Sequence, residues 1–260
     1  MLTVGDHYSK HILNNYFIIK MEIFISDTYE VMSGQAADTL IQLMQSIEYP
    51  LLCPGSGHSP MGLYDALLIK NNQLKVDVSK WYFTGLDEWV GMNGADEGSC
   101  RYSINNQLFD PLKISNNNIC FFDGKVKDLE TECEKTENFI SYHNGIHVAI
   151  VGVGPNGHIA MNEPGTPANI RSHVAAIDPV TQQAGQKYFK EHKQISKGIT
   201  LGLANIMEAK HVILVVNGSH KAEIVNRLIN EEISEQLPAT LLRNHSSFKI
   251  YLDDEAAHLL

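Results

Sequence analysis

The sequence predicts an α/β fold: a single doubly wound, mainly parallel, Rossmann-like sheet with helices on both faces. Three observations predict it. Short apolar runs of strand length recur from end to end of the 260 residues. Stretches with helical apolar spacing separate them, and strand–helix–strand repeats imply right-handed crossovers. Hydrophobic residues make up 43% of the chain, a globular share that excludes wholesale disorder. No internal repeat, low-complexity tract or linker interrupts the pattern, so residues 1–260 are read as one domain.

Taken in order, the predicted strands are Glu22–Ser26, Pro50–Cys53, Trp81–Leu86, Asn118–Phe122, Ile146–Gly152, His211–Val216 and Ser247–Leu252. Each is a short run rich in β-branched, aromatic or other apolar residues, as strands covered on both faces require. The predicted helices are Thr28–Ile47, Pro60–Lys70, Ser103–Phe109, Lys127–Tyr142 and His220–Asn230. In the first, Val31, Ala36, Leu40, Leu43, Met44 and Ile47 mark the face expected to be buried.

Composition narrows the function. With 30 acidic against 20 basic residues, net charge −10, the chain lacks the basic stripe of a nucleic-acid surface. A few placed cations can still bind a small anion. The cysteines Cys53, Cys100, Cys120 and Cys133 form no CxxC pair and are read as reduced thiols, which with the absence of a signal-peptide pattern predicts a cytoplasmic protein. No apolar run approaches the length of a membrane helix, so no membrane partner is expected. Sequons at Asn217 and Asn244 are then chance matches. His7/His11 and His143/His147 share i, i+4 spacing but lack a third ligand, so neither a metal nor another cofactor is expected.

Ligands of doubly wound sheets bind beyond the carboxyl ends of the strands. Three such loops stand out. In Cys53–Pro60, glycines and the hydroxyls of Ser56 and Ser59 precede a helix. That is either an anion cradle or a tight turn in which Ser59 caps the helix. In Thr84–Trp89, the adjacent carboxylates of Asp87 and Glu88 can put one group over the site as a base, or serve as a cap. In Gly152–Gly165, His158 follows a glycine-rich turn, with Asn156 before it and Glu163 after it, an arrangement suited to moving protons near neutrality. Lys221, opening a helix after Asn217-Gly218-Ser219-His220, could reach an anion or simply be solvated.

Together these loops resemble the glucosamine-6-phosphate deaminase/6-phosphogluconolactonase superfamily, most closely its amino-sugar-phosphate isomerase-deaminase branch. The resemblance runs through SGHSPMGLYDAL, TGLDEWVG, VGVGPNGHIAMNEPG, KGITLGLANIMEAKHVILVVNGSHKAEIV and PATLLRNH. GHIAMNEPG is the specific part, since the lactonases carry a GHTASLFP-like run there. The resemblance implies that Asp87 moves the proton between C2 and C1 and that His158 assists opening of the sugar ring. It implies that Glu163 supports His158, and that Ser56, Gly57, His58, Ser59 and Lys221 hold the phosphate.

Several positions depart from the glucosamine enzymes. Asn156 stands in place of an aspartate, Lys187 in place of a phosphate-binding arginine, and His58 in place of a small residue. Trp89 and Asn156 resemble the galactosamine-6-phosphate isomerase subgroup. His173 and Ala175 stand where allosterically regulated relatives carry basic residues, so no such activation is expected. The expected reaction is therefore isomerisation with deamination of galactosamine 6-phosphate to tagatose 6-phosphate and ammonia. The alternatives, in order, are glucosamine-6-phosphate deaminase, 6-phosphogluconolactonase and a non-catalytic sugar-phosphate sensor. The expected partner is a small sugar phosphate; homo-oligomerisation is left open.

Overall fold

The computed structural model describes residues 20–74 and 76–260. The N-terminal pattern and the His7/His11 pair lie outside the described residues. Among those described, seven parallel strands form the main sheet: β1 (Lys20–Ser26), β2 (Leu51–Cys53), β3 (Tyr82–Thr84), β5 (Ile119–Cys120), β6 (Val148–Val151), β9 (His211–Val216) and β10 (Ser247–Asp253). Their order across the sheet is β1-β10-β9-β6-β2-β3-β5. The chain builds outward from β2 through β3 to β5, then returns to the other side of β2 with β6, β9 and β10. The direction of winding therefore reverses between β2 and β6. That switch point opens a crevice at the strand ends, because the loops leaving β2 and β6 diverge to opposite faces.

Both faces of the sheet are covered, as the continuous apolar strands require. In β9, Ile213 and Val215 lie in one core while Val212, Leu214 and Val216 lie in the other. Helices α1 (Tyr29–Gln45) and α2 (His58–Leu74) pack together, and Met32, Leu40, Met44, Leu63 and Leu67 join the first core. Thr28 starts α1 by accepting the Val31 N–H at its hydroxyl. The buried stripe of α1 differs slightly from expectation: Met32, Ala37 and Ile41 are buried, whereas Val31 is 51% exposed. Helix α5 (Leu129–Tyr142) begins at Asp128, whose carboxylate accepts the N–H groups of Glu130 and Thr131.

The expected strand Trp81–Leu86 does not run through. Sheet pairing stops at Thr84, and the chain crosses to a second, antiparallel sheet of β4 (Asp87–Trp89), β8 (Lys197–Thr200) and β7 (His173–Ala176). Gly85 makes the crossing. Its N–H still bonds Cys120 O at 2.9 Å, but a Cβ would sit 2.8 Å from the Phe121 ring. The next residues pair with a different sheet, Leu86 O accepting the Leu201 N–H.

This second sheet goes undetected in the sequence because its strands are three or four residues long and carry no period. The expected helix Ser103–Phe109 instead starts earlier as α3 (Cys100–Ile104), widens into a π-turn over Asn105–Phe109 and ends in α4 (Asp110–Leu112). Pro111 offers no N–H there, which breaks the α-helical ladder. Short helices α6 (Pro179–Gly185), α7 (Leu203–Met207), α8 (Ala222–Asn230) and α9 (Asp254–Ala257) complete the described chain. Among the described residues no helix is long and apolar enough to cross a membrane.

Candidate active site

A cavity of about 360 Å³ lies at the switch point. Its walls come from the loops after β2, β3, β6 and β9, together with α3 and the α6 segment. Of the sequence-predicted residues, Ser56, Gly57, His58, Ser59, Asp87, His158, Lys187 and Lys221 line it. Asn156 and Glu163 stand behind His158 rather than on the wall.

The two adjacent carboxylates separate cleanly. Glu88 is turned away and buried: Oε1 accepts the N–H groups of Trp89 and Cys100 at 2.8 and 3.0 Å, and Oε2 that of Arg101 at 3.0 Å. It is the acceptor at the start of α3, where N–H groups lack helical partners. Burial pushes its pKa up to about 7 against those donors. Asp87 faces the cavity at the base of β4. Its Oδ1 is buried and receives no hydrogen bond from the described residues. Burial raises the Asp87 pKa to about 6, although Cys100, His158 and Ser56 favour the ionised form. A carboxylate in this range is ionised at neutral pH yet basic enough to take a proton from carbon-bound hydrogen beside a carbonyl.

His158 lines the same cavity, and its Nδ1 lies 2.7 Å from Asn156 Oδ1, 2.9 Å from Thr181 Oγ1 and 3.5 Å from Glu163 Oε2. The Asn156 amide also donates from Nδ2 to Glu163 Oε2 at 2.8 Å. An amide oxygen only accepts, so the Asn156 contact assigns the proton to Nδ1 and leaves Nε2 for the cavity. Asn156 thus bridges the imidazole and the carboxylate, transmitting orientation where it cannot supply charge. Burial raises the Glu163 carboxyl, but His158, Asn156 and Thr181 outweigh that and hold it below the usual range. The turn that carries His158 requires glycine at 154, where a Cβ would lie 2.1 Å from the imidazole ring.

The cavity also carries two lysines, Lys187 and Lys221. Lys221 Nζ donates to Val153 O at 2.7 Å, and burial with Lys187 nearby lowers its pKa to about 8. Ser59 does not cap α2: its hydroxyl donates to Asn217 Oδ1 at 2.7 Å, tying the loop after β2 to the loop after β9. Gly57 adopts φ +116°, conformational space that favours glycine, and a Cβ on Gly55 would meet Ile150 O at 2.6 Å. Gly55 thus lets the backbone of the first loop lie close to β6.

The structure adds wall residues that the sequence did not single out: Cys100, Thr181, Tyr188, Asn217 and His220. His220 had a readable signal, being the neighbour of Lys221. Thr181 and Tyr188 had none, because residues 179–195 carry no clear period. The four cysteines are buried and form no disulfide. Of the other histidine pair, His147 leaves the α5 face and accepts the Leu51 N–H at Nδ1; burial lowers its pKa to about 4. No cluster of three or more histidine, cysteine or carboxylate side chains suited to a metal occurs among the described residues.

A family model described as glucosamine-6-phosphate isomerases/6-phosphogluconolactonase matches residues 31–251. A glucosamine-6-phosphate deaminase of Oceanobacillus iheyensis is 35% identical over 237 residues, covering 91% of this chain and 95% of that protein. One from Clostridium perfringens is 32% identical, covering 92% and 100%. Among solved structures, a monomeric glucosamine-6-phosphate deaminase of the NagB superfamily superimposes with a TM-score of 0.88 at 30% identity, over 92% of this chain and 99% of that one. The 6-phosphogluconolactonase of Thermotoga maritima, at 21% identity and a TM-score of 0.73 over 90% and 100% of the two chains, shares the fold.

Proposed function

The chain belongs to the glucosamine-6-phosphate isomerase/6-phosphogluconolactonase family, and from that premise we propose that it isomerises and deaminates an amino-sugar 6-phosphate, with glucosamine 6-phosphate as substrate. The observation that carries this reading is a buried carboxylate, an oriented imidazole and two lysines lining one cavity. The names of the relatives support glucosamine over the galactosamine substrate expected from the sequence.

In this reading Lys221, Lys187 and the loop Ser56–Ser59 hold the phosphate, fixing the distance of C1 and C2 from it. His158 Nε2 takes the proton of the C1 hydroxyl and passes it to the ring oxygen as the bond from C1 to that oxygen breaks, and the C1 aldehyde forms. Asp87 takes the C2 proton, giving an ene-amine with an enol at C1. Return of a proton to C1 leaves a C2 imine. One water adds at C2 and one ammonia leaves, giving fructose 6-phosphate. Glu163 and Asn156 keep the His158 ring in register while its charge changes. Such acid–base steps need groups that titrate near neutrality, which burial provides at Asp87.

A second reading, the galacto epimer, is favoured by Trp89 and Asn156. Purified protein supplied separately with glucosamine 6-phosphate, galactosamine 6-phosphate and 6-phosphogluconolactone decides among them. Ammonia with fructose 6-phosphate from the first is expected. A higher kcat/KM with the second selects the galacto reading. Hydrolysis of the lactone alone, or binding without any turnover, rejects deamination.

A further inference from the structure

His220 stands in the cavity wall without a role in the chemistry just described. It lies in the turn after β9, in a short 3-10 segment, Ser219–Lys221, that leads into α8. Gly218 makes that turn at φ +86°, and a Cβ there would lie 2.9 Å from the His220 Nδ1. The glycine therefore leaves room for the imidazole as well as permitting the turn. His58 opens α2 on the facing loop, its ring stacked on Tyr29 at 6.1 Å. The Ser59–Asn217 hydrogen bond joins the two loops, so both imidazoles belong to one rim with Lys187 and Lys221.

The charges around this rim are one-sided. Burial first, then Lys221 on its own turn, Lys187 from the segment after α6 and His58 from α2, all disfavour an imidazolium at 220. Asp253, at the end of β10, is the carboxylate that opposes them. It is already engaged: its oxygens accept the Gly218 N–H at 3.0 Å and the Ala256 N–H at 2.8 Å. Glu255 of α9 takes the Ser219 N–H at 3.3 Å. In a chain of net charge −10, two lysines and two histidines thus share a wall, and the carboxylates packed against the His220 turn, Asp253 and Glu255, serve the backbone. His58 at the start of α2, and His220 with Lys221 at the start of α8, add the positive ends of two helix dipoles. A dianion reverses the sign of all these interactions at once.

We propose that His220 is a phosphate-binding residue of this site, completing with His58 the outer side of the Lys187–Lys221 cradle and holding the dianion of a phosphate monoester as an imidazolium. The inference rests on the reading of this cavity as a sugar-phosphate site, and adds a recognition element selective for the doubly charged phosphate. Phosphate monoesters lose their second proton near pH 6, so at pH 7 the dianion prevails. Binding it brings a proton onto His220, and affinity falls as pH rises through the imidazole range, ahead of the loss of charge at Lys221.

Fructose 6-phosphate, in buffer free of ammonia so that deamination cannot run in reverse, is the probe. Calorimetric titration of the intact protein at pH 6.5 to 8.5, in buffers of different ionisation enthalpy, gives affinity and protons taken up together. His220→Gln is expected to bind about fivefold to tenfold more weakly at pH 6.5, converging on the wild type by pH 8.5, with reduced proton uptake. His220→Lys is expected to restore affinity while abolishing that part of the uptake. Wild-type affinity and uptake in His220→Gln overturn the proposal. Equal weakening in His220→Lys does too, because it makes the residue a matter of shape. The readout is separate from turnover. Protein that binds the probe as described but releases no ammonia from glucosamine 6-phosphate loses its assigned reaction and keeps this phosphate ligand.

Discussion

Replacing Asp87 by asparagine separates what the carboxylate costs the fold from what it does in the reaction. Burial raises its pKa from 3.8 to about 6, which at about 1.4 kcal/mol per pH unit places roughly 3 kcal/mol against the ionised native form. The native state binds the proton more tightly than the unfolded chain. The cost is therefore absent below about pH 4, grows through the interval and is complete above about pH 6. Asparagine keeps the shape and does not ionise, but its amide is buried with few partners, at a cost of about 1 kcal/mol. Asp87→Asn is then expected to be more stable than the wild type by about 2 kcal/mol at pH 8, near 4–5 °C in Tm for a chain of this size. At pH 4 the advantage disappears. Turnover falls by about a thousandfold, since the proton at C2 loses its acceptor. Thermal unfolding at pH 4, 6 and 8, with ammonia release at pH 8, tests both halves. A variant no more stable than the wild type at pH 8 refutes the burial argument, and one that keeps its turnover refutes the assignment of the base.

The same groups shape the pH profile. Activity is expected to fall as pH drops through about 6, where Asp87 takes up its proton. KM is expected to rise as pH passes about 8, where Lys221 loses its charge; a flat profile across either limb, measured as kcat and KM separately, contradicts that assignment. Asn156→Ala removes the bridge between His158 and Glu163 and is expected to lower kcat by about 10- to 100-fold with KM little changed, by analogy with other groups that orient a reacting side chain. A KM effect of that size would place Asn156 at the substrate instead. Glu88→Ala leaves three N–H groups at the start of α3 without their acceptor, and urea unfolding should show a loss of about 2–3 kcal/mol. Glu88→Gln, which still accepts at one oxygen, should lose less.

The sequence by itself determined the parallel sheet, because apolar strands and amphipathic crossover helices are local patterns that admit few arrangements. It also located the loops that meet at the site. In an α/β sheet the carboxyl ends of strands are where ligands bind, and unusual turns such as Ser56–Ser59 and Gly154–His158 are visible in one dimension. What it could not determine depends on contacts between distant segments. Asp87 and Glu88 are neighbours of the same type, and only the pairing of β4 with Thr200 and the position of α3 decide which faces the cavity and which caps a helix. Thr181 reaches His158 across 23 positions of sequence. Lys221 and His220 join His58 because the Ser59–Asn217 bond closes a gap of 158 residues. Burial is likewise a property of the packed chain: the same Asp87 carboxyl, exposed on a loop, would titrate near 4 and make a poorer base.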